Sequence, residues 1–251
     1  MPEPFLRLAV IGDPVEHSQS PALHRHFLDQ ARLQGSYEAL RVPVGEGARA
    51  IDDLRARGYR GLNVTTPLKE EAFAYAAWRD ATALASGSVN TLVLTDSVEG
   101  YNTDGIGTLG ALSDAGLPEL AGARVLVLGA GPTARAAVAA LGAAAAAVWI
   151  WNRTPARAAA VVRELDAQPF TQAMSYDAVF SALSPGATLD DDALARAVQA
   201  APIFVDANYG ERATLARSLG RAGTGGARML EHSARASFEL WRASLGVKST
   251  E

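Results

Sequence analysis

Residues 123–134, which read ARVLVLGAGPTA, decide the fold of this sequence. The first six form a mostly apolar run, typical of a strand that is buried on both faces of a parallel sheet. Gly129 and Gly131 then allow a tight turn and a close approach of the backbone to a pyrophosphate, and Ala134 allows a helix to pack closely on the strand. The N-terminus of that helix adds partial positive charge. The pattern predicts a dinucleotide-binding βαβ unit, and an ordinary strand-to-helix turn is the alternative.

The residues that follow extend this unit into a larger sheet. Pro132 suits the first turn of a helix, where no amide donor is needed, and the helix is predicted to run to about residue 141. Further strands are predicted at residues 148–151, 178–182 and 203–207, with a helix opening at residue 155. The second half of the chain is therefore predicted to be a Rossmann domain.

The residues after the second predicted strand indicate which nicotinamide cofactor binds. An Asp or Glu at this point would bind the adenosine ribose of NAD. The sequence has Asn152, Arg153 and Thr154 instead, and Arg157 follows one helical turn later. Two guanidinium groups can bind the 2′-phosphate of NADP, so the sequence predicts NADP. A solvated basic start of a helix is the alternative.

The N-terminal part of the chain also alternates strand and helix patterns. A helix opening at Pro67 is predicted to carry Phe73, Ala77 and Trp78 on one side. Residues 89–94 and 98–102 form a predicted hairpin, and Asp104 then precedes a helix that is predicted to run to about residue 115. The remaining predicted elements are strands at 6–11, 37–42 and 61–64 and helices at 21–33 and 48–57. The fold class is α/β, with an N-terminal α/β domain ahead of the Rossmann domain.

Length and composition limit the class of protein. The 251 residues suffice for two modest domains, and a mean hydropathy of +0.05 with 20% charged residues describes a soluble globular protein without a membrane span. The net charge of −4 argues against a nucleic-acid partner. The absence of cysteine excludes disulfides, zinc–thiolate sites and cysteine nucleophiles. The N-terminus reads as a strand and not as a signal peptide, so a cytoplasmic location is expected.

Four segments that follow predicted strands carry polar side chains. They read GDPVEHSQSP at residues 12–21, NVTTPLK at 63–69, GSVNT at 87–91 and GYNTDG at 100–105. In this order, ahead of the Gly-Ala-Gly turn and the Asn-Arg-Thr triplet, the chain from Leu8 to Trp241 resembles the shikimate dehydrogenase family. The closing segment from Met229 to Trp241 adds to the resemblance.

The resemblance implies an architecture and a reaction. It implies a substrate-binding domain of residues 1–104 completed by a C-terminal helix, residues 230–251, and a Rossmann NADP-binding domain of residues 105–229, with the active site in the cleft between them. The implied reaction is the reversible NADPH-dependent reduction of 3-dehydroshikimate to shikimate, a step of the shikimate pathway that leads through chorismate to the aromatic amino acids. A small-molecule substrate and a monomer or homodimer are expected.

The resemblance also assigns roles to residues. Ser18 and Ser20 are implied to bind the substrate carboxylate, and Thr65, Asn90 and Asp104 its ring hydroxyls. Lys69 and Asp104 are implied to be catalytic and also to contact the substrate. Tyr209 and Ser233 are implied to contact the substrate only. The residues implied or predicted to bind the cofactor are Gly129, Ala130, Gly131, Pro132, Thr133, Ala134, Asn152, Arg153, Thr154, Arg157, Ala207, Gly226 and Met229.

Chemistry supports the assignment of Lys69 independently. Lys69 and Lys248 are the only lysines among 23 basic residues, and a lysine can lose its proton whereas an arginine cannot. Reducing a ring ketone requires a proton at oxygen, which a coupled pair of Lys69 and Asp104 can supply. A plain ion pair is the alternative. No metal is expected, because His24 and His26 point about 200° apart on the predicted helix.

Three residues depart from the family pattern. Ser233 stands where the family usually has a glutamine that reaches the substrate, Ser181 stands in place of an asparagine near the cofactor, and Glu211 replaces a proline. These changes leave two alternatives open. One is a paralogue that acts on quinate or an aminoshikimate, and the other is a noncatalytic NADP-binding sensor.

Overall fold

The computed structural model describes residues 5–221 and 225–245. Lys248 and both ends of the predicted substrate-binding domain, residues 1–4 and 246–251, lie outside the described residues. The chain divides into a first unit, Met1–Thr103 with Ala234–Glu251, and a second unit, Asp104–Ser233. The fold is α/β, as predicted.

The first unit contains a six-stranded mixed sheet. β2 and β3 lie parallel to β1 on either side of it, and β5 and β6 continue the sheet as an antiparallel hairpin, which gives the order β2-β1-β3-β5-β6-β4. Its elements are β1 Leu6–Gly12, α1 Ser20–Gln30, β2 Gly35–Arg41, α2 Gly47–Ala56, β3 Tyr59–Val64, α3 Lys69–Tyr75, β4 Trp78–Arg79, α4 Ala81–Ser86, β5 Thr91–Leu94 and β6 Val98–Tyr101.

Side chains of β1 alternate between two cores. Leu8 and Val10 pack in one cluster with Phe27 of α1 and Trp241 near the end of the chain. Ile11 belongs to a second cluster with residues of α2, α3 and α4. Because strand side chains alternate with a period of two, the sheet is covered on both faces.

Two predictions about this unit need correction. The helix predicted to open at Pro67 begins at Lys69 and ends at Tyr75, because Ala76 adopts an extended conformation with ψ 133°. Trp78, predicted on that helix, instead pairs with Glu99 as part of β4 and is 50% exposed. The short helix α4 was not predicted from the sequence.

The second unit contains a five-stranded parallel sheet in the order β11-β10-β7-β8-β9. Counted along the chain this is the order 3-2-1-4-5, which is the Rossmann type of winding around β7. Its elements are α5 Asp104–Asp114, β7 Arg124–Leu128, α6 Pro132–Ala143, β8 Ala147–Trp151, α7 Pro155–Glu164, β9 Gln168–Pro169, β10 Ala178–Ser181, α8 Asp192–Ala200, β11 Ile203–Asp206, a 3₁₀ turn Gly210–Arg212, α9 Thr214–Ser218 and α10 Gly226–Ser244.

Buried apolar residues cover both faces of this sheet as well. Val125 and Val127 pack with α5, α6 and α7, whereas Leu126 and Leu128 pack with α8 and α9. This confirms the prediction that residues 123–128 form a strand buried on both faces.

The C-terminal helix α10 begins in the second unit and ends in the first, so the expected return of the chain to its N-terminal part is confirmed. Trp241, in its last turn, is fully buried and donates from Nε1 to the carbonyl of Leu92 at 2.9 Å. Among the described helices, none is both long enough and apolar enough to span a bilayer.

Candidate active site

The ends of β1 and β3 in the first unit bring two of the four motifs together, GDPVEHSQSP at residues 12–21 and NVTTPLK at 63–69. The chain leaves β1 for β2 on one side and crosses to β3 on the other, and such a reversal opens a crevice at the carboxyl ends of β1 and β3. Thr65 follows β3 and donates from its N–H to the carbonyl of Ile11 at 2.9 Å. A Cβ on Gly12 would lie 2.3 Å from Cγ2 of Thr65, so glycine is required for this approach.

Ser18 and Ser20 lie in the turn between β1 and α1. The Oγ of Ser18 accepts the N–H of Ser20 at 3.2 Å, and Ser18 donates its own N–H to Val15. Ser20 is the first residue of α1 and is only 6% exposed. The turn thus holds both serines in a defined conformation at the start of a helix, where partial positive charge favours an anion.

Lys69 begins α3, and its backbone is tied to the third motif. Its carbonyl accepts the N–H of Val89 at 3.0 Å, and the carbonyl of Asn90 accepts the N–H of Val64 at 2.8 Å. Asn90 precedes β5, and because β5 runs antiparallel to β3, the start of β5 lies beside the end of β3. The structure therefore brings Thr65, Lys69 and Asn90 to one edge of the sheet.

The side chain of Asn90 is held by three donors. Its Oδ1 accepts the N–H of Thr103 at 2.9 Å, the hydroxyl of Thr103 at 3.2 Å and the hydroxyl of Thr91 at 2.9 Å. Three donors to this one oxygen fix the rotamer of Asn90 and the orientation of its amide group. The oxygen faces this network, so the amide nitrogen lies on the other side of the group.

The network extends to α10 through residues that the sequence analysis did not single out. Ser237 lies 2.7 Å from the hydroxyl of Thr91 and accepts from the amide of Asn63 at 3.0 Å, and Asn63 in turn accepts from Tyr37 at 2.6 Å. Asn63 is part of the NVTTPLK segment, which was a signal for its involvement. Ser237 carries no local signal, because its partners lie more than a hundred residues away.

In the second unit, Asp104 begins α5 and is 7% exposed. Its Oδ2 accepts the hydroxyl of Thr133 at 3.0 Å, and its backbone carbonyl accepts the hydroxyl of Thr108 at 2.9 Å. Thr133 lies in the first turn of α6, directly after the glycine turn. The candidate catalytic carboxylate and the predicted cofactor turn are thus hydrogen bonded to each other.

Glycine occupies the two positions of the turn, 129 and 131, for different physical reasons. Gly129 has a φ of +108°, which a residue with a side chain rarely adopts. Gly131 has an ordinary φ of −83°, and a Cβ placed on it would meet no atom within 4 Å. The fold itself does not require glycine at this point, whereas the close approach of a pyrophosphate does.

Other features of the turn fit a dinucleotide. Pro132 is in the first turn of α6, as predicted, and Ala134 is fully buried, which is consistent with its predicted packing role. The turn ends β7, the strand at which the strand order reverses, and Gly129 lies near the carbonyl of Ala182 after β10. Ligands of open α/β sheets bind at this position.

The loop after β8 carries the predicted phosphate-binding residues. Asn152 donates from Nδ2 to the carbonyl of Thr154 at 3.0 Å, which closes the turn before α7. Arg153 and Arg157 are exposed, and within the described residues neither guanidinium forms a salt bridge. Two unpaired cations beside this loop fit the 2′-phosphate of NADP.

The loop after β11 is organised by a buried carboxylate. Asp206 accepts the N–H and the side-chain amide of Asn208, and burial raises the pKa of this carboxyl group. Asn208 also donates to the carbonyl of Leu183 at 2.8 Å. These bonds fix the loop that carries Ala207 and Tyr209.

The remaining predicted residues lie on α10. Gly226 packs against the backbone of the β11 loop, since a Cβ there would lie 2.2 Å from the carbonyl oxygen of Asn208. Met229 and Ser233 are buried and face Gly107 of α5. The structure thus gives Gly226 a packing reason that is independent of any ligand.

The sheet order and the glycine turn define an α/β protein with a Rossmann-type dinucleotide-binding unit. Comparison with family models narrows the class, because residues 10–92 match the shikimate dehydrogenase substrate binding domain and residues 111–208 match the model described as shikimate / quinate 5-dehydrogenase. The chain belongs to the shikimate dehydrogenase family.

Individual relatives agree with this membership. A shikimate dehydrogenase (NADP(+)) of Methanothrix thermoacetophila is 37% identical over 244 residues, which cover 93% of this chain and 90% of that protein. One of Thermus thermophilus is 45% identical over 161 residues, which cover 64% of this chain and 60% of that relative's length.

Solved structures give the same result for the fold. The structure of the Thermus thermophilus enzyme in complex with NADP(H) and shikimate superposes with a TM-score of 0.82 at 35% sequence identity, and the match covers 95% of this chain and 94% of the other.

Proposed function

We propose that this chain is an NADP-dependent shikimate dehydrogenase, which reversibly reduces 3-dehydroshikimate to shikimate in the pathway to the aromatic amino acids. The observation that carries the proposal is the match to a shikimate dehydrogenase (NADP(+)) along 93% of the chain, with Lys69 and Asp104 both present in their motifs. The proposal assigns residues 1–104 and 230–251 to substrate binding and residues 105–229 to cofactor binding.

The residues assigned to substrate binding belong to both units. In the first unit, Ser18 and Ser20 at the start of α1 bind the carboxylate, and Thr65 and Asn90 bind ring hydroxyls. An ordered Asn90 suits this role, because a fixed amide selects hydroxyls by position. Asp104, Tyr209 and Ser233 in the second unit complete the set.

The cofactor, when bound, supplies the hydride for the ring carbonyl carbon. The backbone of residues 129–134 binds its pyrophosphate at the N-terminus of α6, and Asn152, Arg153, Thr154 and Arg157 bind the adenosine end, with the two arginines on the 2′-phosphate. Ala207, Gly226 and Met229 lie on the loop after β11 and on α10 and are assigned to the rest of the cofactor.

Lys69 donates the proton that the ring oxygen needs, and Asp104 acts with it as a coupled pair. In the reverse direction the same groups accept the proton of the hydroxyl. The family match and the retention of lysine in an arginine-rich chain support this assignment.

The direct test is oxidation of NADPH by purified protein on addition of 3-dehydroshikimate. Turnover with NADPH well above turnover with NADH is expected. Absence of turnover with intact NADPH binding would instead favour a noncatalytic NADP sensor.

A paralogue with a different substrate is the second candidate, because Ser233 replaces the usual glutamine and the family model for residues 111–208 covers quinate enzymes as well. A tenfold higher kcat/KM for quinate than for shikimate would establish it. Monomer or homodimer and a cytoplasmic location stay predictions, which sedimentation and fractionation can test.

A further inference from the structure

The hydrogen bond between Thr133 and Asp104 joins two parts of the second unit that have separate roles. Asp104 begins α5, and Thr133 lies in the first turn of α6, two residues after Gly131. The Thr133 hydroxyl is 3.0 Å from Oδ2 of Asp104. Because α5 and α6 pack along each other, this bond is set by the helix packing and not by a flexible loop.

A threonine hydroxyl has one proton to donate. In the structure that proton is directed at Asp104, which is a stronger acceptor when ionised than a neutral oxygen. A cofactor phosphate would need the same proton from this side chain, so the hydroxyl cannot donate to both. The backbone N–H of Thr133 can still face a phosphate, as the turn geometry requires.

The elements packed around Asp104 also carry other charged groups. The partners of charged side chains on α5, α6, α10 and β11 include Glu164 for Arg135, Asp114 and Glu231 for Arg228, Asp114 for His232, Gln30 for Arg235, Glu239 for Arg242, and Asn208 for Asp206. Lys69, which the proposed function couples to Asp104, belongs to the first unit.

We propose that Thr133 is a positioning residue whose hydroxyl orients the Asp104 carboxylate and favours its ionised form, and that this side chain does not bind the cofactor pyrophosphate. A donor to the charged form of a carboxylate favours ionisation, and a donor held on a packed helix also limits the rotation of the carboxylate. The cofactor turn and the candidate catalytic carboxylate therefore share one hydrogen bond. This inference rests on the proposed function for the role of Asp104.

The test compares Thr133→Val with Thr133→Ser. Valine keeps the β-branched shape and removes the donor, whereas serine keeps the hydroxyl. We expect Thr133→Val to lower kcat about tenfold, to move the acid limb of the kcat–pH profile about half a unit to one unit toward higher pH, and to leave the KM for NADPH within about twofold. Thr133→Ser should retain the parental profile.

Two outcomes would overturn the inference. One is a large rise in the KM for NADPH in Thr133→Val with an unchanged pH profile, which would show that the hydroxyl binds the cofactor. The other is a Thr133→Val variant that equals the parent in every readout. Thermal unfolding of both variants checks that the fold is kept.

A measurement without turnover separates this inference from the proposed function. The ¹³C resonance of the Asp104 carboxyl carbon, assigned with Asp104→Asn, is titrated in the cofactor-free protein. Its midpoint should move upward in Thr133→Val and not in Thr133→Ser, even if the protein reduces no cyclohexene acid. An unmoved midpoint would refute the positioning role while leaving the dehydrogenase assignment intact.

Discussion

At the scale of single residues, the proposed proton transfer depends on having a lysine at position 69, and not only on a positive charge there. Lys69 begins α3 directly after a strand end, and the neighbouring Glu71 is bound to the backbone N–H groups of Gly45 and Gly47 at 2.7 and 2.9 Å. Arginine at position 69 would keep the positive charge and remove the titratable amine. Substitution of this one residue therefore separates proton transfer from electrostatics.

We expect Lys69→Arg to lower kcat by about a hundredfold or more with substrate and NADPH binding nearly unchanged, because general acid catalysis commonly contributes that much. Stopped-flow turnover and equilibrium binding measure the two effects. The reverse exchange at an exposed position of β3, Arg60→Lys, is the control. Turnover close to the parent in Lys69→Arg would reduce Lys69 to a charge in the wall of the site.

Asp104→Asn tests whether the two residues act as one unit. If they do, Lys69→Arg combined with Asp104→Asn should lose far less activity than the product of the two single losses. Losses that simply multiply would contradict the coupled pair and favour two independent contributions.

Cofactor choice also depends on individual residues. Arg153→Ala should weaken NADPH binding more than tenfold, because a charge-assisted hydrogen bond to a phosphate contributes about 1.5 to 3 kcal/mol. NADH binding should hardly change, since NADH lacks the 2′-phosphate. Arg163→Ala, at the other end of α7, is the matched control, and calorimetry measures the parent and both variants. Equal loss for NADPH and NADH would refute the phosphate contact.

At the scale of secondary structure elements, α1, β2 and α10 meet around a buried histidine. The His24 ring stacks on Tyr37 with centroids 4.3 Å apart and lies 5.1 Å from the ring of Trp241. Within the described residues neither ring nitrogen has a hydrogen-bond partner. Burial lowers the pKa of His24 from 6.5 to about 3, and the nearby Asn63 side chain opposes this lowering.

This shift predicts how stability depends on pH. The folded state keeps His24 neutral down to about pH 3, whereas the unfolded chain binds a proton below about pH 6.5. The contribution of neutral His24 is therefore present above pH 6.5 and is lost as the pH falls toward 3, at up to about 1.4 kcal/mol per pH unit. Urea unfolding between these pH values measures the slope.

His24→Phe should remove this slope, because phenylalanine fills the aromatic site without titrating. The exposed His26, two residues along the same helix, provides the control His26→Phe, which should keep the parental slope. If both variants show the same acid dependence, another group controls it.

The helices and strands show where sequence patterns are informative. Residues 123–128 and the hairpin at 89–102 were predicted to within two residues, because an apolar run and a polar turn have few alternative readings. The helix at Pro67 was predicted too long, since Ala77 and Trp78 continue the apolar spacing of Phe73 although the chain turns at Ala76 to form β4. The strand pairing that determines this turn is not local.

The candidate site also has some features that the sequence predicts and others that it does not. The glycine turn and the strand-end motifs have local spacing and could be read from the sequence. The bonds from Ser237 to Thr91 and from Thr133 to Asp104 join residues 146 and 29 positions apart, so no local pattern contains them. They follow from helix packing, which the sequence specifies only through the whole fold.

At the scale of the whole molecule, the first unit is assembled from both ends of the chain, with Asp104–Ser233 between them. Trp241 joins these ends: its ring lies so close to Gly61 that a Cβ there would be 2.2 Å from Nε1, and Nε1 donates to the carbonyl of Leu92 at 2.9 Å. A side chain at position 61 would therefore collide with the Trp241 ring, so this packing requires glycine at position 61. Folding of the first unit thus depends on a contact with high sequence separation.

We expect Trp241→Ala to lower the free energy of unfolding by about 3 to 5 kcal/mol, because a fully buried aromatic side chain and its hydrogen bond are lost. The half-exposed Trp78 provides the control, and Trp78→Ala should cost about 1 kcal/mol or less.

Because the cofactor turn belongs to the other unit, NADPH affinity of the folded Trp241→Ala protein should change by no more than about twofold, while turnover falls. Urea unfolding, calorimetry and turnover measure the three effects. A proportional loss of NADPH affinity and stability would show instead that the two units fold as one.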